Sequence, residues 1–575
     1  MRVRRAAVAL ALLLAAAGVA GCASVPAESP VQIVRRVTAG EEGEPPGPTT
    51  GIDPLGLVRA FVEASASSTD DHAAARRFLA DPAPEWDDAA GLTVLDSLFD
   101  TVPAPGAPDP SSGVTRVRIR GTAVGRLSSS GSFEPGQEPV QVDVTLVRSD
   151  TGEWRIAGLP PGVLVPLQYF REEYRAVRTW FVDPARGLAV PDQRHIPAFP
   201  QGAQASRVLD LLLAGPSGAV LGSVTSQLQA AQLRSNAGLG ESGELVVDLT
   251  QVGELDEAGR RLLAAQVVLS LSEVNVQRVR LLVDGIALLL AQPVLTRDDV
   301  AGLSGDVQPA ADVPALVASA GRVRGLSAVG GAQELAGPVG DGTYDVESAA
   351  SSVDGRRLAA VIRFEGRRQL LVGGDADGGV APVGLTAGSM TRPSWSPTAS
   401  EVWTVLDGGV VARVLVDGAV RTGQVNADEL VALGPVEDLR LSRDGMRVAA
   451  VVGGGLYAGA VVRSVDGEVA VRNVRRLRPA DLTDVVAVDW RASELLVVVT
   501  RSPDRLVAQV TVDGLQLASQ LVNNLTPPLT AVAAAPSRPL LVTDQSGVWS
   551  FAGGQQDAWR PVLAGAPGAE PLYPG

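Results

Sequence analysis

The segment Ser442-Arg443-Asp444-Gly445-Met446, a polar turn followed by the apolar stretch 448–452, shows the pattern that repeats through the C-terminal half. A turn residue precedes an apolar stretch at five positions, which are 44, 46, 49 and 44 residues apart. These positions are Asp354, Thr398, Asp444, Ser493 and Ser537. A period in the forties with β-patterned strands is typical of a propeller blade, a small sheet that must stack on its neighbours. The sequence therefore predicts an all-β propeller over residues 313–575.

The pattern leaves the number of blades open between five and six. The strands predicted after the five turns are residues 358–362, 402–406, 448–452, 495–499 and 540–542. Residues 326–335 supply either strands of a further blade or a closing strand. The turns, for example Trp395-Ser396-Pro397-Thr398, resemble the TolB-type pattern Trp-Ser-Pro-Asp-Gly. Packing within the blades accounts for Trp395, Trp403 and Trp490.

Strands and helices alternate over residues 168–312, which predicts an α/β domain. Residues 179–183 form a strand, and Leu188-Ala189-Val190-Pro191 is its hairpin partner. Ser206 is expected to cap a helix that Gly215-Pro216 ends. The remaining predicted elements are a strand at 244–249, a helix at 256–271, and a strand and turn at 279–285. This order resembles the GerMN domain of spore-germination and related exported proteins.

Residues 51–167 read as an α+β domain in which helices precede a sheet. Asp53-Pro54 is suited to cap and start a helix, and a second helix is expected at 73–79. Strands are predicted at 114–119, 140–147 and 154–156, with Ser149-Asp150-Thr151-Gly152 as a hairpin turn. Helices followed by a curved antiparallel sheet resemble the NTF2-like or cystatin-like layout.

The first 50 residues read as an export signal and a tether. Arg2, Arg4 and Arg5 precede an apolar run, and Val19-Ala20-Gly21-Cys22 closes it with small residues before the only cysteine of the 575 residues. This order predicts a signal peptide over residues 1–21 that is cut before Cys22. The site resembles the lipobox, which implies a diacylglyceryl thioether and an N-acyl group on Cys22. Residues 22–50 are rich in proline, glycine and acidic side chains, which predicts a flexible acidic tether.

Composition excludes several classes of function. The formal net charge is -15, and removal of Arg2, Arg4 and Arg5 with the leader makes it -18. A chain this acidic is an improbable partner for nucleic acid and is repelled by an anionic membrane, so the lipid is expected to provide the anchor. No second apolar run approaches the length of a membrane span. A lipidated Cys22 leaves no thiol for a disulfide or a metal site.

Catalytic and metal-binding groups are scarce, so the sequence predicts a protein that is not an enzyme and has no cofactor. His72 and His195 are the only histidines, and they lie in different predicted domains. His195 is expected in a loop after the GerMN hairpin, where nothing orients it as a catalytic base. Asp375-Ala376-Asp377-Gly378-Gly379 resembles part of a calcium loop but lacks its other ligands, so a hairpin turn is expected. Acidic residues are too scattered for a glycosidase pair to be judged from sequence.

Three arginines, Arg116, Arg118 and Arg120, alternate along one predicted strand and therefore share one face of the sheet. Two interpretations remain for this face. It is either a basic strip for an anionic polymer or an acidic partner, or a solvated face of the sheet.

The full order of lipobox, acidic tether, α+β domain, GerMN block and propeller resembles the LpqB family of actinobacterial lipoproteins along nearly the whole chain. The resemblance implies a protein on the outer face of the plasma membrane that acts on the extracellular domain of the sensor kinase MtrB. It further implies an accessory role in the MtrAB two-component system, in cell-wall homeostasis and in division.

A rival hypothesis is a protein that binds or processes cell-wall polymer at the central face of the propeller. A polar, carboxylate-lined pocket at that face favours the rival, whereas a featureless channel favours the accessory role.

Overall fold

The computed structural model describes residues 47–327, 330–374, 379–553 and 558–575. Residues 1–46, which include Cys22, the predicted signal peptide and most of the predicted tether, lie outside the described residues. The calcium-loop resemblance at Asp375 to Gly378 also lies outside them. Gly47–Gly575 forms one compact unit.

The N-terminal domain begins with the predicted cap. The Asp53 carboxylate accepts hydrogen bonds from the amides of Leu55 at 2.9 Å and Gly56 at 3.0 Å, which satisfies two free donors at the start of helix α1. The apolar face of this helix is buried against the sheet. The helices of the domain are α1 (Pro54–Ala64), α2 (Ala73–Arg76) and α3 (Leu167–Glu173). Helix α2 is shorter than predicted because Leu79 leaves it to bridge with Ile156 of the sheet.

The sheet of this domain has six strands in the order β5-β4-β3-β1-β6, with β2 paired to β3. The strands are β1 (Leu92–Leu95), β2 (Asp100–Pro103), β3 (Val114–Leu127), β4 (Phe133–Arg148), β5 (Trp154–Gly158) and β6 (Val163–Pro166). The central pair is much longer than predicted. The expectation of a purely antiparallel sheet is wrong at one edge, because β6 returns beside β1 in parallel.

The middle domain has the α/β order that the sequence predicts. Its strands are β7 (Tyr174–Asp183), β8 (Leu188–Pro197), β9 (Gln232–Leu233), β10 (Gly238–Leu239), β11 (Leu245–Thr250), β12 (Val279–Val283) and β13 (Ile286–Ala287). Its helices are α4 (Gln204–Ala214), α5 (Glu257–Ser272) and α6 (Arg297–Val300). Strands β11 and β12 pair in parallel, with α5 between them in sequence. Ser206 lies inside α4 and does not cap it, because the helix begins two residues earlier, whereas Gly215 (φ +86°) ends it as predicted.

The C-terminal domain consists of six four-stranded antiparallel sheets. The first combines β14 (Ala315–Ser319), β15 (Arg322–Leu326) and β16 (Ala332–Glu334) with the last strand of the chain. The next two contain β17 (Val346–Ser351), β18 (Arg357–Phe364), β19 (Arg367–Gly374) and β20 (Val380–Ala387), then β21 (Ser394–Trp395), β22 (Glu401–Leu406), β23 (Val410–Leu415) and β24 (Arg421–Gln424).

A short helix, α7 (Asp428–Val431), precedes the last three sheets. The fourth sheet contains β25 (Val436–Leu441), β26 (Arg447–Val452), β27 (Gly455–Arg463) and β28 (Val469–Leu477). The fifth and sixth contain β29 (Val485–Ala492), β30 (Leu495–Thr500), β31 (Val507–Thr511) and β32 (Leu517–Ser519), then β33 (Ala531–Ala533), β34 (Leu540–Asp544), β35 (Gly547–Phe551) and β36 (Arg560–Ala564). Strand β37 (Glu570–Leu572) completes the first sheet by pairing with β14.

The sheets form a closed ring. Each sheet contributes one inner strand, and the six inner strands are β37, β17, β21, β25, β29 and β33. Each contacts the next, and β37 contacts both β17 and β33, so that the six strands surround a central channel. The hydrophobic clusters of the ring combine residues of neighbouring sheets. Trp395, Trp403 and Trp490 are at most 1% exposed and lie between successive sheets, which confirms the packing role predicted for them.

The repeated turn has the same atomic structure in different sheets. The Asp444 carboxylate accepts a hydrogen bond from the Ser442 hydroxyl, and the Ser442 hydroxyl oxygen accepts one from the amide of Arg447 at 2.9 Å. Ser352, Asp354 and Arg357 repeat these contacts in the second sheet. Glycine follows the aspartate in both turns because φ is +72° at that position.

A candidate functional site at the junction of three domains

His195 lies in strand β8 and not in the loop that the sequence predicts. Residues 188–197 pair with residues 174–183 along their full length, so the strand continues past Pro191. The imidazole is 3% exposed, and its Nε2 lies 2.7 Å from Oδ2 of Asp513, a residue of the propeller. This histidine therefore joins two domains.

Asp513 is held by a third copy of the repeated turn, which lies between the third and fourth strands of its sheet. Its Oδ1 accepts hydrogen bonds from the Thr511 hydroxyl at 2.5 Å and the Leu515 amide at 3.0 Å, as Asp354 and Asp444 do in their turns. Its Oδ2 also accepts a bond from Gln193 Nε2 at 3.1 Å. Burial alone would raise the pKa of Asp513, but the hydrogen bonds from its neighbours outweigh burial and hold the pKa below 3.8.

Arg194, next to this histidine, is fully buried with all of its charge compensated. Its Nε and Nη2 donate to Oδ2 of Asp192 at 2.9 and 2.7 Å. Nη2 also donates to the Gly215 carbonyl at 2.8 Å, and Nη1 donates to the Ser130 carbonyl of the N-terminal domain. Loss of either charge would leave the other buried without a partner, which costs about 3–5 kcal/mol in typical cases.

The N-terminal domain reaches the same point through the loop between β3 and β4. The His195 amide donates to the Gly131 carbonyl at 2.7 Å. The rings of Phe133 and Phe170 lie 6.3 and 5.7 Å from the imidazole. Gly131 has φ +72°, and a Cβ there would come within 2.8 Å of the His195 carbonyl oxygen. The close approach of the β3–β4 loop to strand β8 therefore requires glycine at position 131.

Two propeller turns insert an apolar side chain into a neighbouring domain. Met446, 3% exposed, belongs to the hydrophobic core of the middle domain, and Leu515, 2% exposed, belongs to that of the N-terminal domain. Each follows the glycine of its turn, where the second sheet has the charged residue Arg356. We use the name three-domain junction for Gly131, Arg194, His195, Asp513 and Leu515.

A second set of polar contacts joins the middle domain to the propeller. Arg447 is 4% exposed; it pairs with Asp444 at 2.8 Å and donates to the Pro191 carbonyl. Arg186 donates to the carbonyl of Asp444, and the Ser493 hydroxyl donates to the Asp306 carboxylate. The propeller turn at Asp444 thus also binds the middle domain to the propeller.

The other residues considered as candidates in the sequence, His72 and the arginines of strand β3, make contacts within the N-terminal domain. His72 is 9% exposed, its ring lies 5.8 Å from that of Trp86, and burial lowers its pKa below 6.5 although Asp88 opposes the change. Arg118 pairs with Asp143 at 2.6 Å and Arg120 with Asp100 at 3.6 Å. These pairs support the interpretation of a solvated sheet face over that of a free basic strip.

The contacts at the three-domain junction hold the three domains together. At 3% exposure the His195 ring is closed to a substrate, and its Nε2 is engaged by Asp513. Over the described ranges, no group of three histidine, cysteine or acidic residues is placed to hold a metal ion. In the same part of the chain, no helix has the length and apolar character needed to cross a bilayer.

Sequence reasoning missed Asp513, Asp192 and the two inserted apolar residues. Thr511-Val512-Asp513-Gly514 matches the turn pattern Ser352-Val353-Asp354-Gly355, so the signal for the turn was present in the sequence. The apolar residue after the glycine was the signal for a contact outside the propeller.

Comparisons with protein families match three consecutive parts of the chain. The model described as "Lipoprotein LpqB, N-terminal domain" matches residues 47–171. A model described as "Sporulation and spore germination" matches residues 179–289, and one described as "Lipoprotein LpqB beta-propeller domain" matches residues 323–574.

Relatives match over nearly the whole chain. The chain is 32% identical to Lipoprotein LpqB of Rhodococcus opacus (strain B4) over 600 residues, covering 99% of this chain and 97% of the relative. It is 32% identical to Lipoprotein LpqB of Mycobacterium tuberculosis (strain CDC 1551 / Oshkosh) over 596 residues, covering 98% of each. Among solved structures, TolB from Acinetobacter baumannii overlaps 30% of this chain and 42% of its own at 16% identity and a TM-score of 0.24, too low to carry an argument.

Proposed function

Because this chain belongs to the LpqB lipoprotein family, with an N-terminal domain, a germination-type domain and a β-propeller, we propose that it is anchored through lipid on Cys22 to the outer face of the plasma membrane. There it acts as a non-catalytic accessory of the MtrAB two-component system by binding the extracellular domain of the sensor kinase MtrB. Through that kinase it affects cell-wall homeostasis and division.

The observation that carries this proposal is the use of both histidines in packing. His195 is buried in the three-domain junction against Asp513, and His72 is buried beside Trp86. A general base must reach the proton that it removes, and neither ring is placed to do so. A binding role requires no such group.

The junction also supports binding in a second way. Hydrogen bonds and buried apolar side chains hold three domains in one fixed arrangement. A surface that is ordered before it binds loses less conformational freedom on association than a mobile one. The lipid would keep the protein in the plane of its partner and so raise the effective concentration, which allows a weak contact to suffice.

Two finer features of the fold belong to the proposal. We take each of the six four-stranded sheets as one blade, which gives a six-bladed propeller. We take the N-terminal helices and curved sheet as NTF2-like, with β6 as an additional parallel edge strand.

The test is a pull-down of the full-length chain in detergent with the immobilised extracellular domain of MtrB. Purified cell-wall polymer is the competing matrix, and the extracellular domain of an unrelated kinase is the control. We expect saturable retention on MtrB alone. An accessory protein changes kinase output only if it binds the signalling states unequally, so the retention should differ between states of the kinase. Retention on wall polymer with no binding to MtrB would contradict the proposal.

A further inference from the structure

The middle domain has an open groove of about 990 Å³ on its surface. Its lining comes from the start of helix α5 with the residues before it, from the chain between Val283 and Leu295, and from the end of α6 with the residues after it. All of the lining residues lie between Val252 and Leu303, so the groove belongs to the middle domain alone. We call it the middle-domain groove.

The groove is apolar because the core of the middle domain continues into it. Five of its lining residues are partly buried and pack against that core: Val252, Leu255, Val283, Leu289 and Leu303. Two more apolar lining residues are open to solvent, Ile286 at 65% and Leu290 at 80% exposure. Apolar side chains grouped on an exposed surface mark interaction sites, whereas single scattered ones do not.

Four lining residues are charged, and one of them, Arg260, has neither an ionic partner nor a role in starting a helix. Arg261 pairs with Glu257 at 2.7 Å. Asp299 accepts hydrogen bonds from the amide and the hydroxyl of Thr296, which begin α6 and hold the pKa of Asp299 below 3.8. In the described part of the chain, no carboxylate oxygen lies within 4 Å of the Arg260 guanidinium. This exposed arginine is therefore free to pair with an acidic group of a partner.

The shape of the groove favours a helix as its occupant. An acyl chain in an open groove would keep one side in water and would leave Ile286 and Leu290 uncovered. A helix is about 10–12 Å wide with its side chains, so it can insert one apolar face and cover the edges as well. A cavity of about 150 Å³ holds one benzene ring, so 990 Å³ leaves room for several apolar side chains.

We propose that the middle-domain groove is the surface that binds the sensor kinase. An amphipathic helix of the kinase extracellular domain places apolar side chains, three and four residues apart, in the groove and an acidic side chain against Arg260. This inference rests on the proposed function, since it takes MtrB as the partner. It adds the domain that makes the contact and the chemistry of the segment that is bound.

The test measures binding kinetics for the lipidated full-length chain in phosphatidylcholine nanodiscs, with the MtrB extracellular domain as the soluble partner. Leu290→Gln should raise Kd by about tenfold, which corresponds to about 1.4 kcal/mol, mainly through faster dissociation. Arg260→Glu should slow association, and this effect should shrink as the salt concentration rises. Both side chains are exposed, so neither change disturbs the core.

Each variant has a matched control in the same domain and outside the groove lining. Leu239→Gln replaces a leucine that is 81% exposed. Arg278→Glu replaces an exposed arginine that, like Arg260, donates to a backbone carbonyl, at 3.0 Å against 2.9 Å. Both controls should bind as the unaltered chain does, and circular dichroism establishes that every variant is folded.

The outcomes separate this inference from the proposed function. If the unaltered chain binds MtrB and the groove variants bind as well as their controls, the groove is not the docking surface and the proposed function stands. If the unaltered chain does not bind MtrB, the proposed function is overturned and this inference with it.

Crosslinking identifies what occupies the groove. Cys22 is the only cysteine of the chain, so once it is lipidated the thiol of Leu290→Cys is the only one free to carry a benzophenone label. We expect the label to attach to an MtrB segment with apolar residues three and four apart and an acidic residue beside them. The same label on Leu239→Cys should attach to MtrB far less. Attachment to nanodisc lipid in place of MtrB, or to a segment without this pattern, would overturn the proposal.

Discussion

At the level of single residues, an aspartate in a repeated turn has acquired a second role. Asp354 and Asp513 lie at different places in their sheets, but their turns have the same hydrogen bonds: each aspartate accepts from a hydroxyl and a backbone amide. Asp513 alone of the two also bonds to a residue of another domain, His195. Variants of these two aspartates therefore separate the contribution of the turn from that of the contact between domains.

We expect Asp513→Ala to reduce the free energy of unfolding by about 1–3 kcal/mol more than Asp354→Ala, because only the former leaves buried partners in another domain unsatisfied. Chemical denaturation measures the difference. Hydrogen exchange in β8 should rise only in the Asp513 variant. Equal costs for the two variants would mean that the His195 contact adds nothing.

The same variant has a predicted pH dependence. The pKa of Asp513 is lower in the folded protein than its ordinary 3.8, so the folded state binds the proton less readily than the unfolded chain. The stability that this carboxylate contributes is present above pH 3.8 and is lost as the pH falls through the lower folded value. Asp513→Ala should therefore lose less stability on acidification than the unaltered chain. A parallel loss in both would contradict the assignment.

At the level of elements, strand β37 closes the ring. Residues 570–572 pair with β14 at the other end of the domain, which joins the last strand to the first sheet. Leu572, 2% exposed, packs in the cluster shared by the first two sheets.

We expect Leu572→Ala to destabilise the propeller by about 2–5 kcal/mol, because it leaves a cavity at the point of closure. The control Leu521→Ala removes a leucine that is 57% exposed and should change stability by about 0.5 kcal/mol or less. Thermal unfolding followed by circular dichroism compares them. Equal midpoints for the two variants would show that closure does not depend on this strand.

Elements with local signals were predictable, and those decided by distant partners were not. The second strands of the sheets and helix α5 follow from turn residues and apolar spacing, and the structure confirms them. The turn at Asp513 has the same residue pattern but falls outside the period of the other turns, since it lies between the third and fourth strands of its sheet. The length of β8 depends on its pairing with β7, which local sequence does not encode.

At the level of the whole molecule, the candidate site could not be predicted from either domain alone. His195 and Asp513 are 318 residues apart in sequence, and neither has a recognisable functional motif around it. Each of the two side chains is buried because the domains pack against each other at this point.

We propose that a lipid-anchored three-domain protein acts on MtrB in the plane of the membrane. The most direct measurement is autophosphorylation of MtrB in proteoliposomes that also contain the full-length chain or its Cys22→Ala variant. We expect that the lipidated chain changes the rate of autophosphorylation and that Cys22→Ala needs a much higher concentration for the same change, since it loses confinement to the membrane. An unchanged rate with the lipidated chain, or equal potency of the two proteins, would contradict it.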